Sequence, residues 1–97
     1  MAFDRTGLYL ANPGVPPGHR LWTYVTLDAL ATVDTAGYFN SASKELAIGD
    51  VINTRVVGGS IRTPTSISAA GWALVNANAS GVVDVSDHTA IATTDTD

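Results

Sequence analysis

The most constraining feature of this sequence is residues 51–57, Val-Ile-Asn-Thr-Arg-Val-Val. Most of these residues are β-branched, and β-branched side chains favour the pleated, half-buried surface of a strand. Turn-forming pairs lie on both sides, Gly49-Asp50 before the run and Gly58-Gly59 after it. The segment is therefore the clearest predicted β-strand in the chain.

Further strands are predicted on both sides of this one. Residues 21–26 combine aromatic and β-branched side chains, as a strand does. Residues 71–76 and 82–85 also predict strands, and the Asn-Ala-Ser-Gly sequence at 78–81 between them is typical of a hairpin turn. Residues 60–70 are rich in Thr and Ser and contain a proline, which favours a loop or a weak edge strand.

One short helix is predicted between the strands. Leu27, Leu30 and Val33 recur at helical spacing, and Gly37 is expected to follow the end of the helix. The predicted fold is mainly β, a small antiparallel sheet or sandwich with one short helix and an extended N-terminal arm. The following residues are predicted to form the core: Leu21, Trp22, Tyr24, Leu30, Val33, Tyr38, Phe39, Ile48, Val51, Ile52, Val56, Trp72, Leu74, Val82 and Val85.

The N-terminal arm is predicted from residues 12–18, which contain three prolines and two glycines and so exclude a regular helix. We expect residues 1–20 to form this arm and residues 21–97 to form a single small domain. The arm could cover its own domain or reach a neighbouring subunit. Its predicted partner-binding residues are Leu8, Tyr9, Leu10, Pro13 and Pro16.

Size and charge limit the possible functions. A chain of 97 residues without cysteine has one modest core and no disulfides, so association with other subunits is a plausible source of stability. The net charge is −4, and the five basic residues are scattered, which argues against nucleic acid or an anionic membrane as partner. The chain lacks the roughly 20 consecutive apolar residues of a membrane span and an apolar signal sequence, which predicts synthesis in the cytoplasm without export.

The sequence offers no set of residues that predicts catalysis. His19 lies in the Pro/Gly arm and His88 lies near the C-terminus, and we expect both to be solvent-exposed or to cap backbone groups. Asp28 and Asp34 flank the predicted helix and are expected to act as caps or turn formers. Residues 84–89 contain several oxygen ligands but lack the glycine and terminal glutamate of a calcium loop. We therefore predict a protein that is not an enzyme and has no cofactor or metal.

A resemblance to a known class of proteins covers most of residues 20–87. It is carried by Arg20-Leu21-Trp22-Thr23-Tyr24, Thr26, Asp28-Ala29, Val33-Asp34, Ala36-Gly37-Tyr38-Phe39-Asn40, Gly49-Asp50-Val51-Ile52 and Val82-Val83-Asp84-Val85-Ser86-Asp87. In these segments the chain resembles small virion structural proteins of tailed bacteriophages, the head decoration (cement) or head-fibre proteins. The resemblance implies a non-enzymatic protein, often a homotrimer, that binds the major capsid protein on the outside of the virion.

Two other functions remain open at this point. The chain could be a tail or head fibre module that binds a host receptor or glycan, with Trp72 or Tyr24 on the sugar-binding surface. It could also be a small polysaccharide hydrolase, which would need Asp28 and Asp34 as an acid pair. Under the decoration hypothesis, residues 1–18 clamp a neighbouring subunit with Leu8, Tyr9 and Leu10 as anchors.

Overall fold

The strand predicted at residues 51–57 lies in the middle of the sheet. The computed structural model describes residues 3–12 and 19–92. Their elements are, in chain order, a 3-10 helix (Arg5–Gly7), β1 (Leu8–Asn12), β2 (Leu21–Thr26), α1 (Leu30–Val33), a second 3-10 helix (Asn40–Ala42), β3 (Val51–Gly59), β4 (Pro64–Ala79), β5 (Val82–Val85) and β6 (Thr89–Ala90). The sheet has the order β1-β2-β3-β4-β5, and β6 also pairs with β4.

The connection between β2 and β3 determines the architecture. These two strands run parallel, with Leu21 opposite Val51 and Thr26 opposite Val56, whereas every other pair is antiparallel. A parallel pair needs a crossover, and residues 27–50, which contain α1 and the second 3-10 helix, form it. The predicted mainly β fold with one short helix is confirmed, although the sheet is mixed rather than purely antiparallel.

The hairpin between β4 and β5 has the turn that its sequence predicts. Ser80 and Gly81 form a two-residue connection, and their φ angles are 56° and 80°. Positive φ at both central positions is the mark of a type I′ turn, whose twist matches that of antiparallel strands. Glycine adopts this conformation without steric cost, which explains its presence at the second position.

The core lies between the crossover and one face of the sheet. Strand residues alternate between the two faces, and the buried set comes from alternate positions of β2 to β5 together with the crossover. Its members are Trp22, Tyr24, Val33, Phe39, Ala42, Leu46, Ile52, Ala73, Val75, Val83 and Val85. The rings of Phe3, Tyr24, Tyr38 and Phe39 pack against one another with centroid separations of 5.1–6.2 Å.

Some predicted core residues lie outside the core: Leu21 and Val51 are half-buried on the opposite face of the sheet, and four others are exposed. Ile48, Trp72, Leu74 and Val82 are 61%, 41%, 43% and 49% exposed. Residues 72–75 are all apolar, so hydrophobicity does not show which alternating pair faces inward. The smaller Ala73 and Val75 occupy the core, and the larger Trp72 and Leu74 lie on the opposite face.

One element boundary differs from the prediction, because the helix begins at Leu30 rather than near Leu27 and is a single turn. Residues 64–70, predicted as a loop or a weak edge strand, form the first part of the 16-residue strand β4, where strand pairing is with β3 alone among the described residues. Proline is tolerated there because Pro64 is the first residue of the strand.

The first part of the predicted arm belongs to the sheet. Strand β1 pairs with β2, placing Leu8 opposite Tyr24 and Tyr9 opposite Thr23. Before it, the Asp4 N–H donates to the Tyr24 hydroxyl at 2.9 Å. Residues 3–12 therefore contribute to the fold of the domain itself.

Candidate functional site

The surface opposite the core is the first candidate site, and we call it the open sheet face. Two rows of residues cross the strands there, as the strand register shows. The first row is Tyr9, Thr23, Asn53 and Trp72, and the second is Asn12, Leu21, Val51 and Leu74. Val25 and Arg55 extend this face toward the ends of the parallel strands.

Large apolar side chains on the open sheet face are exposed to solvent. Tyr9 is 56% exposed, Trp72 41% and Leu74 43%. Trp72 and Leu74 are neighbours on one face of β4, and Tyr9 lies on the edge strand of the same row. Adjacent exposed apolar residues of this size, such as Trp72 and Leu74, mark surfaces that bind other molecules.

Asn53 lies at the centre of this face and is only 5% exposed. Among the described residues, its side-chain oxygen has no hydrogen-bond partner. A buried amide oxygen without a donor is unfavourable by about 1–3 kcal/mol. A binding partner that placed a hydrogen-bond donor between Thr23 and Trp72, within reach of the Asn53 side-chain oxygen, would remove this penalty. The unpartnered oxygen therefore favours the complex over the free protein.

The residues predicted to anchor a partner separate into three groups. Leu8 packs against the chain's own core and is not available to a partner. Tyr9 lies on the open sheet face, while Leu10, 45% exposed, lies opposite Trp22 at the edge of the sheet. Pro13 and Pro16 lie outside the described residues.

Asp50 fixes the strands that carry the open sheet face. Its carboxylate is fully buried and accepts hydrogen bonds from the backbone N–H of Arg20 at 3.0 Å, from Trp22 Nε1 at 2.9 Å and from the backbone N–H of Ala47 at 3.1 Å. Arg20 Nε lies 3.5 Å from the same carboxylate without making a hydrogen bond to it. The position after Gly49 indicated a turn former, and nothing in the local pattern indicated this network.

His88 is part of a second buried network, which corrects the expectation of an exposed or capping histidine. Its side chain is 3% exposed. Nδ1 lies 3.1 Å from Asp34 Oδ2, and Nε2 lies 3.0 Å from Thr54 Oγ1. Sequence reasoning missed this because Asp34, Thr54 and His88 are far apart in the chain.

Asp34, His88 and Thr54 are connected in the same order as the acid, base and nucleophile of a catalytic triad. Their surroundings, however, differ from those of a triad. A nucleophile must be reached by substrate, and Thr54 is fully buried in the central strand. Two surface clefts, one beside Asp28 and one beside His19, are lined by none of these three side chains. We interpret this network as a link between the C-terminal segment, α1 and β3.

A chain of hydrogen bonds joins the N-terminal segment to the crossover. The Asp4 N–H donates to Tyr24, the hydroxyls of Tyr24 and Tyr38 are 2.9 Å apart, and the Tyr38 hydroxyl donates to Asp28 Oδ2 at 2.6 Å. Asp28 is 4% exposed, so it is a buried acceptor rather than a helix cap. Burial and the hydrogen bond to Asp28 raise the pKa of the Tyr38 phenol well above its ordinary value.

This raised pKa predicts a loss of stability in alkali. Above about pH 10, the ordinary tyrosine pKa, the unfolded chain releases the Tyr38 proton while the folded chain retains it. The contribution of Tyr38 to the free energy of unfolding is thus complete below pH 10 and declines above it. We expect Tyr38→Phe to cost about 1–3 kcal/mol at pH 7 through lost hydrogen bonds, with a smaller deficit at pH 11.

Urea unfolding at pH 7, 9 and 11 measures this difference. Tyr9→Phe removes an exposed phenol outside the hydrogen-bonded chain and is the control, expected to follow the wild type at each pH. A Tyr38→Phe deficit that stays constant across the three pH values would contradict the assignment.

In residues 3–12 and 19–92, no group of three or more acidic or histidine side chains converges as a metal site requires. In the same residues, no helix has the length and apolar character needed to cross a bilayer.

Comparison with known proteins gives no relative from which function could be transferred. No family model, curated protein or solved structure matches the chain. The candidate site therefore depends on its own geometry, in which an exposed apolar sheet face surrounds a buried, unpartnered amide.

Proposed function

We propose that this chain is a non-enzymatic virion structural protein that binds the outside of a bacteriophage capsid and stabilises the shell. The observation that carries the proposal is the open sheet face, where Tyr9, Trp72 and Leu74 are exposed around Asn53. Tryptophan and tyrosine are over-represented among the residues that dominate binding energy at protein interfaces. The proposed partner is the major capsid protein, and the resemblance noted in the sequence supports that choice.

The size of the open sheet face suits this role. Five strands about 4.8 Å apart, with about six residues of 3.3 Å each, give a face of about 24 by 20 Å, or about 480 Å². A standard interface buries about 800 Å² on each partner. The face provides more than half of that area.

Stabilisation follows from binding alone. A protein that binds assembled capsid subunits more tightly than separate ones shifts the equilibrium toward the assembled shell. This mechanism needs no catalytic group. It needs many copies and a firm interface, and a homotrimer on the shell would provide several contacts at once.

One observation favours a second candidate function, a fibre module that binds a host receptor or glycan. Trp72 is 41% exposed, and an exposed indole can stack on the apolar face of a sugar. Tyr24, the other residue considered for this role, is fully buried and no longer supports it.

Copy number distinguishes the two functions. We expect quantitative mass spectrometry of purified virions to find this chain at a simple ratio to the major capsid protein, in hundreds of copies per particle. The total tail fibre protein in the same sample is the internal reference. A copy number equal to that of the tail fibres would favour the fibre module, and absence from the virion would contradict both proposals.

A further inference from the structure

A cleft of about 420 Å³ lies away from the open sheet face, at the carboxyl end of β2 and near the turn that follows β3. The segment after β2 forms one wall with Leu27 and Asp28, and the turn between β3 and β4 forms another with Ile61 and Arg62. Asp4, beside the first 3-10 helix, completes the rim. We call this the Asp28 cleft.

Asp28 is the buried acid of this cleft. Its side chain lines the cleft although the residue is only 4% exposed. Oδ2 accepts the hydrogen bond from Tyr38, whereas Oδ1 accepts none from any described residue. Because Oδ1 is open to the cleft, it can accept a charge-assisted hydrogen bond from a cationic group that enters there.

The other charges of the cleft compensate each other. Asp4 accepts hydrogen bonds from the backbone N–H and the hydroxyl of Thr6, and these, with the positive charge of Arg62, lower the pKa of Asp4. Asp4 therefore remains negative and faces a positive guanidinium. The lining contains two acidic side chains and one basic one, so the cleft as a whole favours a cation.

The walls indicate the shape of that cation. Leu27 is 50% exposed and, with Ile61, gives the cleft an apolar surface. The hydroxyls of Thr6 and Ser60 lie in the same lining. Lysine and arginine combine an apolar stem with a charged head in this way, while a sugar would favour an aromatic platform, which the described lining lacks.

We infer that the Asp28 cleft binds a lysine or arginine side chain of a partner subunit, with Asp28 Oδ1 accepting from the charged head. This inference rests on the proposed function for the identity of the partner. The chemistry of the cleft can be tested separately, because it requires only the isolated protein and a small cation.

The first test is a titration of the full-length protein with N-acetylarginine amide, followed by amide shifts in ¹⁵N NMR spectra. We expect shifts concentrated at Leu27, Asp28 and Ile61. Asp28→Asn keeps an acceptor for Tyr38 but removes the charge, and should weaken binding at least tenfold. N-acetylcitrulline amide, the neutral analogue, should bind the wild-type protein as weakly as N-acetylarginine amide binds the Asp28→Asn variant.

Two further variants keep the test decisive. Arg62→Gln changes an exposed residue and removes a competing positive charge, so it should bind the probe several-fold more tightly. Asp87→Asn removes an exposed acid outside the cleft and should bind like the wild type. Equal affinity for the charged and neutral probes, or no change in Arg62→Gln, would overturn the inference.

Failure of this inference is distinguishable from failure of the proposed function. If the protein binds capsids but the affinity for the probe is the same in the wild type and in Asp28→Asn, the cleft assignment is wrong and the proposed function stands. If the probe binds as expected but the protein does not bind capsids, the cleft is a cation site and the proposed partner is wrong.

Discussion

An Asp50→Ala variant is expected to lose about 3–5 kcal/mol of its free energy of unfolding. The carboxylate is fully buried and accepts hydrogen bonds from Arg20, Trp22 and Ala47. Alanine leaves these donors without an acceptor and removes the negative charge near the Arg20 guanidinium, and breaking a buried charged network from one side typically costs this much. Domains of this size have only about 5–15 kcal/mol in total, so this loss is a large fraction of the stability.

Urea unfolding followed by tryptophan fluorescence measures this loss. Asp50→Asn retains the shape and one acceptor, so it should fall between the wild type and Asp50→Ala. Asp87→Ala removes an exposed acid and should change the free energy of unfolding by less than about 0.5 kcal/mol. An Asp50→Ala variant within about 1 kcal/mol of the wild type would mean that the network does not organise the fold.

The second large effect concerns binding rather than folding. We expect the double variant Trp72→Ala, Leu74→Ala to lose about 100-fold or more in affinity for capsids. Truncation of a central interface residue often costs 2 kcal/mol or more, and each 1.4 kcal/mol is a factor of about ten. Both side chains are more than 40% exposed, so the loss in unfolding free energy should be much smaller than that of Asp50→Ala.

A matched control separates the open sheet face from general surface hydrophobicity. Ile48 is 61% exposed and belongs to the crossover rather than to the open sheet face. Ile48→Ala should bind capsids like the wild type. If Ile48→Ala and the double variant lose equal affinity, the binding surface is not the one proposed here.

Local sequence signals predicted the elements whose determinants are local. The β-branched run at residues 51–57 is the central strand, and the Ser80-Gly81 turn forms the expected hairpin. Both predictions are confirmed because neighbouring residues determine these elements. Branched side chains favour the strand, and the backbone freedom of glycine favours the turn.

The rest of the fold depends on contacts between distant residues. The pairing of β1 with β2 packs Leu8 against the core, whereas the sequence left open whether this segment covers its own domain or reaches a neighbouring subunit. For this reason, deletion of residues 1–18 removes part of the fold and does not isolate a binding arm. The parallel pairing of β2 and β3 likewise has no signature in either strand alone.

The exposed apolar residues of the candidate site were only partly anticipated from the sequence. Apolar anchors were expected in the N-terminal segment, and Tyr9 and Leu10 are exposed there. Trp72 and Leu74 were assigned to the core because all residues from 72 to 75 are apolar. The register with β3 is what distinguishes the two faces, and register is a property of the assembled sheet.

The most direct test of the proposed function is co-sedimentation of the purified protein with shells assembled from the major capsid protein of the same phage. Bound copies are counted against capsid subunits over a range of concentrations, for the wild type and for the Trp72→Ala, Leu74→Ala variant. We predict saturable binding of the wild type at a simple ratio to capsid subunits and little binding of the variant. Absence of wild-type binding, or saturation at only a few copies per particle, would contradict a capsid decoration protein.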